Sequence, residues 1–226
     1  MRPNAFDHVA LWVTERADLA LAIVEVCGMH EIERTDSFTL IGGDARLGKI
    51  TLFDADGPRE RGVLERIVIR VPDLAGCVAR LDTRNISYDR LDHDAVRFDS
   101  PAGVPFGLVQ REGPVDLHAS VLAVSDPAGT AGALLGLGFN GGPEELSLGD
   151  RFVIVRPGGP QHTTRPLLNH LALLVDSAED AQREALARGL DIDRVVDAPN
   201  TVAVFVRGPE DILLEYVEHK PSFSLV

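Results

Sequence analysis

Four apolar segments, spaced about 50 residues apart, give four stretches of the chain the same hydrophobic pattern. The first and last are the most alike, with FDHVALWV at 6–13 and LNHLALLV at 168–175. Segments 66–71 and 119–124 share this apolar character, and all four segments end in valine. A cluster drawn from Ser, Thr, Asp, Glu and Pro follows each valine, and such residues favour the start of a helix. The pattern therefore predicts four strands that each lead into a helix.

The segments that follow these strands have helical periodicity, and helices are predicted over 17–26, 74–83, 128–137 and 178–188. A residue that tolerates left-handed backbone stands 14 or 15 positions after each strand-ending valine. These residues are Gly28, Asn85, Gly138 and Gly189. Two or three short strands come next, so each repeat unit is predicted to be a βαβββ module.

The sequence thus predicts an α+β protein of four modules, at 5–55, 63–112, 115–158 and 167–219. Joints rich in Gly and Pro separate the modules, at 57–58, 112–114 and 158–160. Modules one and two make a first pair over 5–112, modules three and four make a second pair over 115–219, and 220–226 forms a C-terminal tail. A single module would expose one face of its sheet, so modules must pack together to enclose a core or a cup.

Alternate residues of a strand point to opposite faces of the sheet, which identifies the side chains that face the cup. His8 and His170 hold the same register in modules one and four, and Glu215 and His219 share a face of the closing strand. Either histidine alone could be an ordinary strand residue. Their equal registers, together with a carboxylate in an apolar strand, favour a divalent metal site made of His8, His170 and Glu215. His219 is the candidate acid or base, and Trp12 is expected to line the cup.

The module count and these motifs resemble the vicinal oxygen chelate superfamily, which includes glyoxalase I, extradiol dioxygenases and resistance proteins. The resemblance is carried by the opening strands at 8–13 and 170–175 and by the closing segment GPEDILLEY at 208–216. It implies the glyoxalase/dioxygenase fold, in which modules pair into two cup-shaped, partly open mixed β-barrels. It also implies that metal ligands come from the first and last strands of paired modules, where His8, His170 and Glu215 fall.

Modules two and three depart from this pattern, because their matching positions hold Arg66, Ala119 and Gly107. The sequence therefore predicts one site from modules one and four and a second site that has lost its ligands. His118 is the alternative to His8, although it has the phase of the helix-packing face and reaches the cup only through a bulge. With His118 as ligand, module three would pair with module four. A homodimer that joins module one to module four of its partner is a third arrangement.

Two histidines and one carboxylate with open positions form the facial triad of non-haem Fe(II) oxygenases. Relatives of glyoxalase I generally have a fourth ligand, often a second glutamate, and no carboxylate occupies the matching position here. The first hypothesis is an Fe(II)-dependent, extradiol-type dioxygenase that chelates the vicinal oxygens of a small catechol-like aromatic substrate and activates O₂. The second is a glyoxalase-, epimerase- or lyase-like enzyme that uses Zn²⁺, Mn²⁺ or Ni²⁺. The third is a ligand-sequestering, resistance-type protein without catalysis.

Composition narrows the choice of partners. The formal net charge of −13 and the isoelectric point of about 4.9 argue against nucleic acid and anionic membranes. No targeting segment or membrane-length apolar run is evident, and Cys27 and Cys77 are expected to be core thiols, so we expect a cytoplasmic protein. His30, His93 and His162 have polar neighbours and are expected at the surface.

Overall fold

The computed structural model describes residues 1–158 and 163–223, and this part of the chain contains the four predicted modules. Module one contains β1 (Ala5–Val13), α1 (Arg16–Cys27), β2 (His30–Arg34), β3 (Phe38–Gly42) and β4 (Lys49–Asp54). Module two contains β5 (Leu64–Val71), α2 (Leu74–Thr83), β6 (Tyr88–Asp92), β7 (Ala95–Asp99) and β8 (Pro105–Gln110). Module three contains β9 (Asp116–Val124), α3 (Pro127–Gly136), β10 (Asn140–Gly141), β11 (Glu145–Leu148) and β12 (Arg151–Pro157). Module four contains β13 (Leu168–Leu174), α4 (Ala178–Ala187), β14 (Ile192–Asp197), β15 (Thr201–Arg207), a 3-10 helix (Pro209–Asp211) and β16 (Leu213–His219).

The strands form two eight-stranded mixed sheets, which confirms the predicted α+β class. The first sheet has the order β14-β15-β16-β13-β1-β4-β3-β2, and the second has the order β10-β11-β12-β9-β5-β8-β7-β6. Within each module the opening strand pairs in parallel with the closing strand, as β1 does with β4 and β13 with β16. The opening strands of two modules then pair antiparallel at the centre of each sheet, as β1 does with β13 and β5 with β9.

This topology corrects the division into sequential pairs. Module one shares a sheet with module four, and module two shares a sheet with module three, so the stretches 5–112 and 115–219 each contribute one module to each sheet. The link at 111–115 explains the pairing of modules two and three. It needs to cross only from β8, past β5, to β9, a step of two strand spacings or about 10 Å, which five residues span easily.

The helices begin and end close to where the sequence predicts. The backbone is left-handed at all four predicted helix-ending residues, with φ of 81°, 54°, 109° and 66° at Gly28, Asn85, Gly138 and Gly189. Three of the four helix starts have a side-chain cap, in which Asp73, Asp126 or Ser177 accepts a hydrogen bond from the backbone N–H three residues on. Helix α1 has no side-chain cap. In the described ranges no helix is both long and apolar enough to cross a membrane.

Each sheet has one face under its helices and one face turned away from them. In the first sheet Val9, Leu11, Leu214 and Tyr216 belong to the main core between sheet and helices. Ala172, Ala203, Phe205 and Val217 form a separate small apolar cluster on the opposite face, which we call the cup face. Val9, Leu11, Leu214, Tyr216 and Val217 therefore lie on the sides that strand alternation predicts.

Four β-bulges at equivalent places modify this alternation. The pairing of β1 with β13 skips Asp7 on one strand and Asn169 on the other. The pairing of β5 with β9 skips Glu65 and His118. A bulge lets two successive side chains lie on nearly the same side of a strand, so each bulge residue accompanies its neighbour at the cup face.

Candidate metal centre

His8, His170 and Glu215 converge on the cup face of the first sheet, where three neighbouring strands meet. His8 lies on β1, His170 on β13 and Glu215 on β16. The Nε2 atoms of the two histidines are 3.0 Å apart. Glu215 Oε2 lies 3.3 Å from His8 Nε2 and 2.8 Å from His170 Nε2. These are the three ligands that the sequence predicts, and the fold brings them together although His8 and His170 are 162 residues apart in the chain.

Both imidazole rings are held so that Nε2 faces the other two groups. His8 Nδ1 lies 2.6 Å from Asp7 Oδ1, and His170 Nδ1 lies 3.1 Å from Asn169 Oδ1. A carboxylate and an amide oxygen are acceptors, so each Nδ1 donates its proton, and in the neutral form of either ring Nε2 has the lone pair that binds a ligand. The acceptor in each case is the bulge residue that immediately precedes the histidine.

Burial and charge set the protonation of the three groups. Burial alone would lower the pKa of His8, but its contacts with Asp7 and Glu215 outweigh burial and raise that pKa from 6.5 to about 9. Burial lowers the pKa of His170, and Glu215 offsets this only in part. Burial would raise the pKa of Glu215, whereas the two histidines hold it well below its usual range. A metal ion that binds here at neutral pH must therefore displace a proton from His8 Nε2.

The donor set fits a divalent first-row ion. Ligand atoms about 2.1 Å from an ion and at right angles around it are separated by about 3.0 Å, whereas tetrahedral ligands are about 3.4 Å apart. The three separations here are 2.8, 3.0 and 3.3 Å. Separations of this size allow one divalent ion to contact all three atoms, and two histidines with one carboxylate leave the remaining positions of such an ion to other ligands.

Asp7 lies behind His8 and binds a buried cation as well. The Asp7 side chain is 1% exposed, and Lys49 Nζ lies 2.8 Å from its Oδ1 atom. Burial would raise the pKa of Asp7, but Lys49, His219 and His8 together hold it well below its usual range. Sequence reasoning missed Asp7 because plain alternation places it under the helix. The sequence feature that could have identified Asp7 is a hydrogen-bond acceptor immediately before the histidine in modules one and four, as Asp7-His8 and Asn169-His170.

His219, the predicted acid or base, lies next to Asp7. Its Nε2 is 2.8 Å from Asp7 Oδ2, an ion-pair distance without the angle of a hydrogen bond. The Phe223 ring stacks on the His219 ring, with ring centres 4.2 Å apart. His219 thus contacts the carboxylate that holds His8, and an acid–base role for it would act through Asp7.

Aromatic rings surround the triad on the cup face. His170 packs edge-on against Phe205 at 5.2 Å between ring centres and lies 6.3 Å from Phe53. Phe53 in turn contacts Trp12 at 5.5 Å and Phe38 at 6.0 Å. Trp12, Phe38 and Phe53 are partly exposed, so their faces are open to a bound ring. The predicted position of Trp12 on the cup face agrees with these contacts.

The second sheet has the same arrangement without the ligands. Val68 pairs with Gly107 as Ala172 pairs with Glu215, so Gly107 occupies the carboxylate position. Arg66 lies over Gly107 and forms an ion pair with Glu65. The loss of ligands predicted for modules two and three is therefore present in the structure.

His118, the alternative ligand, lies outside the group formed by His8, His170 and Glu215. It lies in the second sheet, at the bulge equivalent to Asp7, and its ring packs against Phe152 at 5.2 Å. The predicted phase on the helix-packing face was wrong because the bulge turns the side chain. Burial, reinforced by Arg111 and Arg70, lowers the pKa of His118 from 6.5 to about 4.

Other potential sites have weaker chemistry. Asp92, His93 and Asp94 form an exposed group of metal-ligand types at the turn after β6. His30 is exposed as expected, and His162 lies outside the described residues. A cleft of about 700 Å³ lies at module two, and no triad residue lines it. Its four arginines each have a carboxylate partner: Arg61 with Asp99, Arg66 with Glu65, Arg84 with Glu25 and Arg97 with Asp89.

Comparison with known structures defines the class of fold. A Bacillus subtilis subsp. subtilis str. 168 protein provisionally called a dioxygenase has a TM-score of 0.81 and 20% identity, with 98% of this chain and 87% of that chain covered. Glyoxalase I from Zea mays has a TM-score of 0.71 and 16% identity over 95% and 92% of the two chains. The cppA protein from Streptococcus pneumoniae TIGR4 has a TM-score of 0.65 and 14% identity over 96% and 100%. No protein-family model and no curated protein sequence matches this chain.

These likenesses confirm the glyoxalase/dioxygenase fold that the sequence resemblance implied. The fold and the convergent triad together define this chain as a protein of that fold with a candidate metal centre in one of its two cups.

Proposed function

We propose that this chain is a divalent-metal enzyme, and specifically an Fe(II)-dependent, extradiol-type dioxygenase that acts on a small catechol-like substrate. The observation that carries the proposal is the triad of His8 Nε2, His170 Nε2 and Glu215 Oε2, with separations of 2.8 to 3.3 Å. Two histidines and one carboxylate on one face of an ion are the ligand set of non-haem Fe(II) oxygenases. The dioxygenase and glyoxalase names among the similar structures agree with metal chemistry in this fold.

The position of a fourth protein ligand favours oxygenase chemistry over glyoxalase-like chemistry. By the repeat, the module-one equivalent of Glu215 is Thr51, because Ala10 pairs with Thr51 as Ala172 pairs with Glu215. A threonine is a poor ligand where glyoxalase I relatives generally have a second glutamate. The site thus offers three strong protein ligands and keeps the remaining positions for substrate oxygens and O₂.

The side chains around the triad have separate roles in this proposal. A bound ion would act as Lewis acid and as template for two substrate oxygens. Asp7 accepts the Nδ1 proton of His8, and Asn169 accepts that of His170, so both rings keep their orientation. Phe53 and Phe205 flank His170 and would exclude water from it, and the partly exposed Phe53 ring would contact the substrate ring. His219 is proposed to tune His8 through Asp7.

The test is anaerobic loading of the protein with Fe(II), followed by O₂ uptake with a panel of catechols and measurement of bound metal. We expect uptake equal to the substrate consumed, with a ring-opened product. The matched controls are His170→Ala, which should lose uptake, and His118→Ala, which should keep it. Full iron occupancy without uptake for any catechol would overturn the dioxygenase proposal. Activity with Zn²⁺ or Ni²⁺ and no O₂ requirement would instead support a glyoxalase- or lyase-like enzyme.

A further inference from the structure

A single row of side chains crosses the cup face and joins Arg194 to the triad. Arg194 on β14 pairs with Phe205, Phe205 pairs with Glu215, Glu215 pairs with Ala172, and Ala172 pairs with His8. Residues paired across neighbouring strands lie on the same face of a sheet. Arg194 therefore lies on the cup face, two strand spacings or roughly 10 Å from Glu215.

The Arg194 side chain is held in place by an aromatic ring that also contacts a ligand. Its guanidinium carbon lies 4.0 Å from the Phe205 ring centre, and that centre lies 5.2 Å from the centre of the His170 ring. Stacking on a ring fixes a guanidinium group while leaving its N–H donors available at the edge. The guanidinium group is therefore positioned beside the candidate metal centre and not spread along the strand.

Arg194 keeps donors that the protein itself does not use. Its Nη1 lies 2.7 Å from the Asp193 carboxylate, and within the described ranges neither Nε nor Nη2 has a hydrogen-bond acceptor. The side chain is 45% exposed, so a ligand in the cup can reach it. Asp193 is shared, because Arg207 also pairs with it.

The other cations near the cup are less suited to contact a metal-bound ligand. Lys49 is 4% exposed and is already paired with Asp7. Arg59 stacks on Trp12, and Trp12 is separated from His170 by the Phe53 ring. Arg194 is separated from His170 by one ring only.

The geometry points to Arg194 as the residue that binds a carboxylate substituent of the substrate. This inference rests on the proposed function, since it assumes that the triad chelates two vicinal oxygens. The substrate class is then a catechol-like ring that packs against the partly exposed Phe53 ring and carries a carboxylate on a short chain opposite the chelating oxygens. Arg194 would bind that carboxylate through its free donors.

The test measures binding without turnover, in protein loaded with redox-inert Zn²⁺. Trp12 is the only tryptophan of the chain and lies on the cup face, so its fluorescence reports occupancy of the cup. The two probes are 3-(3,4-dihydroxyphenyl)propionate and its methyl ester, which differ in the negative charge. The variants are Arg194→Met, Arg194→Lys and, as a control with an exposed, ion-paired arginine in the other sheet, Arg97→Met.

We expect the native protein to bind the carboxylate about tenfold or more tightly than the ester. Arg194→Met should reduce this preference to less than about threefold by weakening carboxylate binding alone, Arg194→Lys should keep part of it, and Arg97→Met should keep all of it. Equal affinities in the native protein, or an unchanged preference in Arg194→Met, would overturn the inference while leaving the proposed function standing. Failure of the Zn²⁺-loaded protein to bind either probe would overturn both.

Discussion

Replacement of Asp7 by asparagine tests the buried charge cluster behind His8. Asp7 is 1% exposed and lies against the side-chain nitrogens of Lys49, His8 and His219, at 2.8, 2.6 and 2.8 Å. Asparagine keeps the shape of the side chain and one acceptor oxygen but removes the negative charge. Lys49 would then remain buried without a negatively charged partner, next to two neutral acceptors, the amide oxygen and the Arg46 carbonyl oxygen 3.1 Å from Nζ.

The magnitude follows from the cost of an uncompensated buried charge. Removal of one partner of a buried ion pair costs about 3–5 kcal/mol, and we expect about 3 kcal/mol for Asp7→Asn because one acceptor remains. Lys49→Met should cost less, about 1–2 kcal/mol, since His8 remains beside Asp7 as a positively charged partner. The double variant no longer contains a buried lysine or a buried aspartate. Its loss should therefore be about 2 kcal/mol smaller than the two single losses combined.

The assay is urea unfolding of the metal-free protein at neutral pH, followed for all four members of the cycle. The control is the slope of the unfolding free energy against urea concentration. A similar slope in all four proteins shows that the same unfolding transition is compared. The reasoning is refuted if the two single losses add to within about 0.5 kcal/mol, because independent sites behave in that way. As a second readout, Asp7→Asn should weaken metal binding about 10- to 100-fold, since Asp7 orients His8.

Three further predictions address the rest of the molecule. Tyr216→Phe should lower the free energy of unfolding by about 1–2 kcal/mol, because the fully buried hydroxyl donates to the Leu137 carbonyl oxygen at 2.7 Å. The control is Tyr88→Phe, which loses no such bond. Its free energy of unfolding, measured by urea titration, should stay within about 0.5 kcal/mol of the native value. The pKa of His118 is about 4 in the folded chain against 6.5 when unconstrained, so the unfolded chain binds more protons between these values and native stability falls as pH drops from 6.5 to 4. His118→Asn should remove about 1 kcal/mol of that loss, a figure reduced for the partial exposure of the ring. If the free energies of unfolding of the native protein and of His118→Asn change with pH in the same way, this assignment is contradicted. Uptake of Zn²⁺ by the metal-free protein in weak buffer should release close to one proton per ion near pH 7.5, because the pKa of His8 is about 9. Zn²⁺ binding without proton release at pH 7.5 would contradict a protonated His8.

Much of the fold could be predicted from local patterns. The left-handed residues Gly28, Asn85, Gly138 and Gly189 follow the helices because this conformation lets the backbone N–H groups after a helix bond to its last free carbonyls. The cup-facing side chains could be assigned because the apolar set of each strand has a period of two. The candidate ligands could be predicted for the same reason, since the repeat gives His8 and His170 one register and alternation puts Glu215 on their face.

The remaining features depend on geometry that the hydrophobic pattern does not encode. A bulge adds one residue without changing the apolar residues around it, so plain alternation puts Asp7 and His118 on the wrong face. The pairing of modules depends on the span of short links and on the match of two strand edges far apart in sequence. Arg194 could not be predicted because its place beside the triad arises from pairing across four strands.

The metal content of purified variants after anaerobic reconstitution with Fe(II) shows whether His8, His170 and Glu215 hold the ion. We expect one tightly bound ion per native chain and nearly none in His8→Ala, His170→Ala and Glu215→Ala. His118→Ala, which changes a histidine at a bulge of the other sheet, should keep one ion per chain. Full metal content in His170→Ala and Glu215→Ala, with the native circular dichroism spectrum retained, would contradict the assignment of the metal centre.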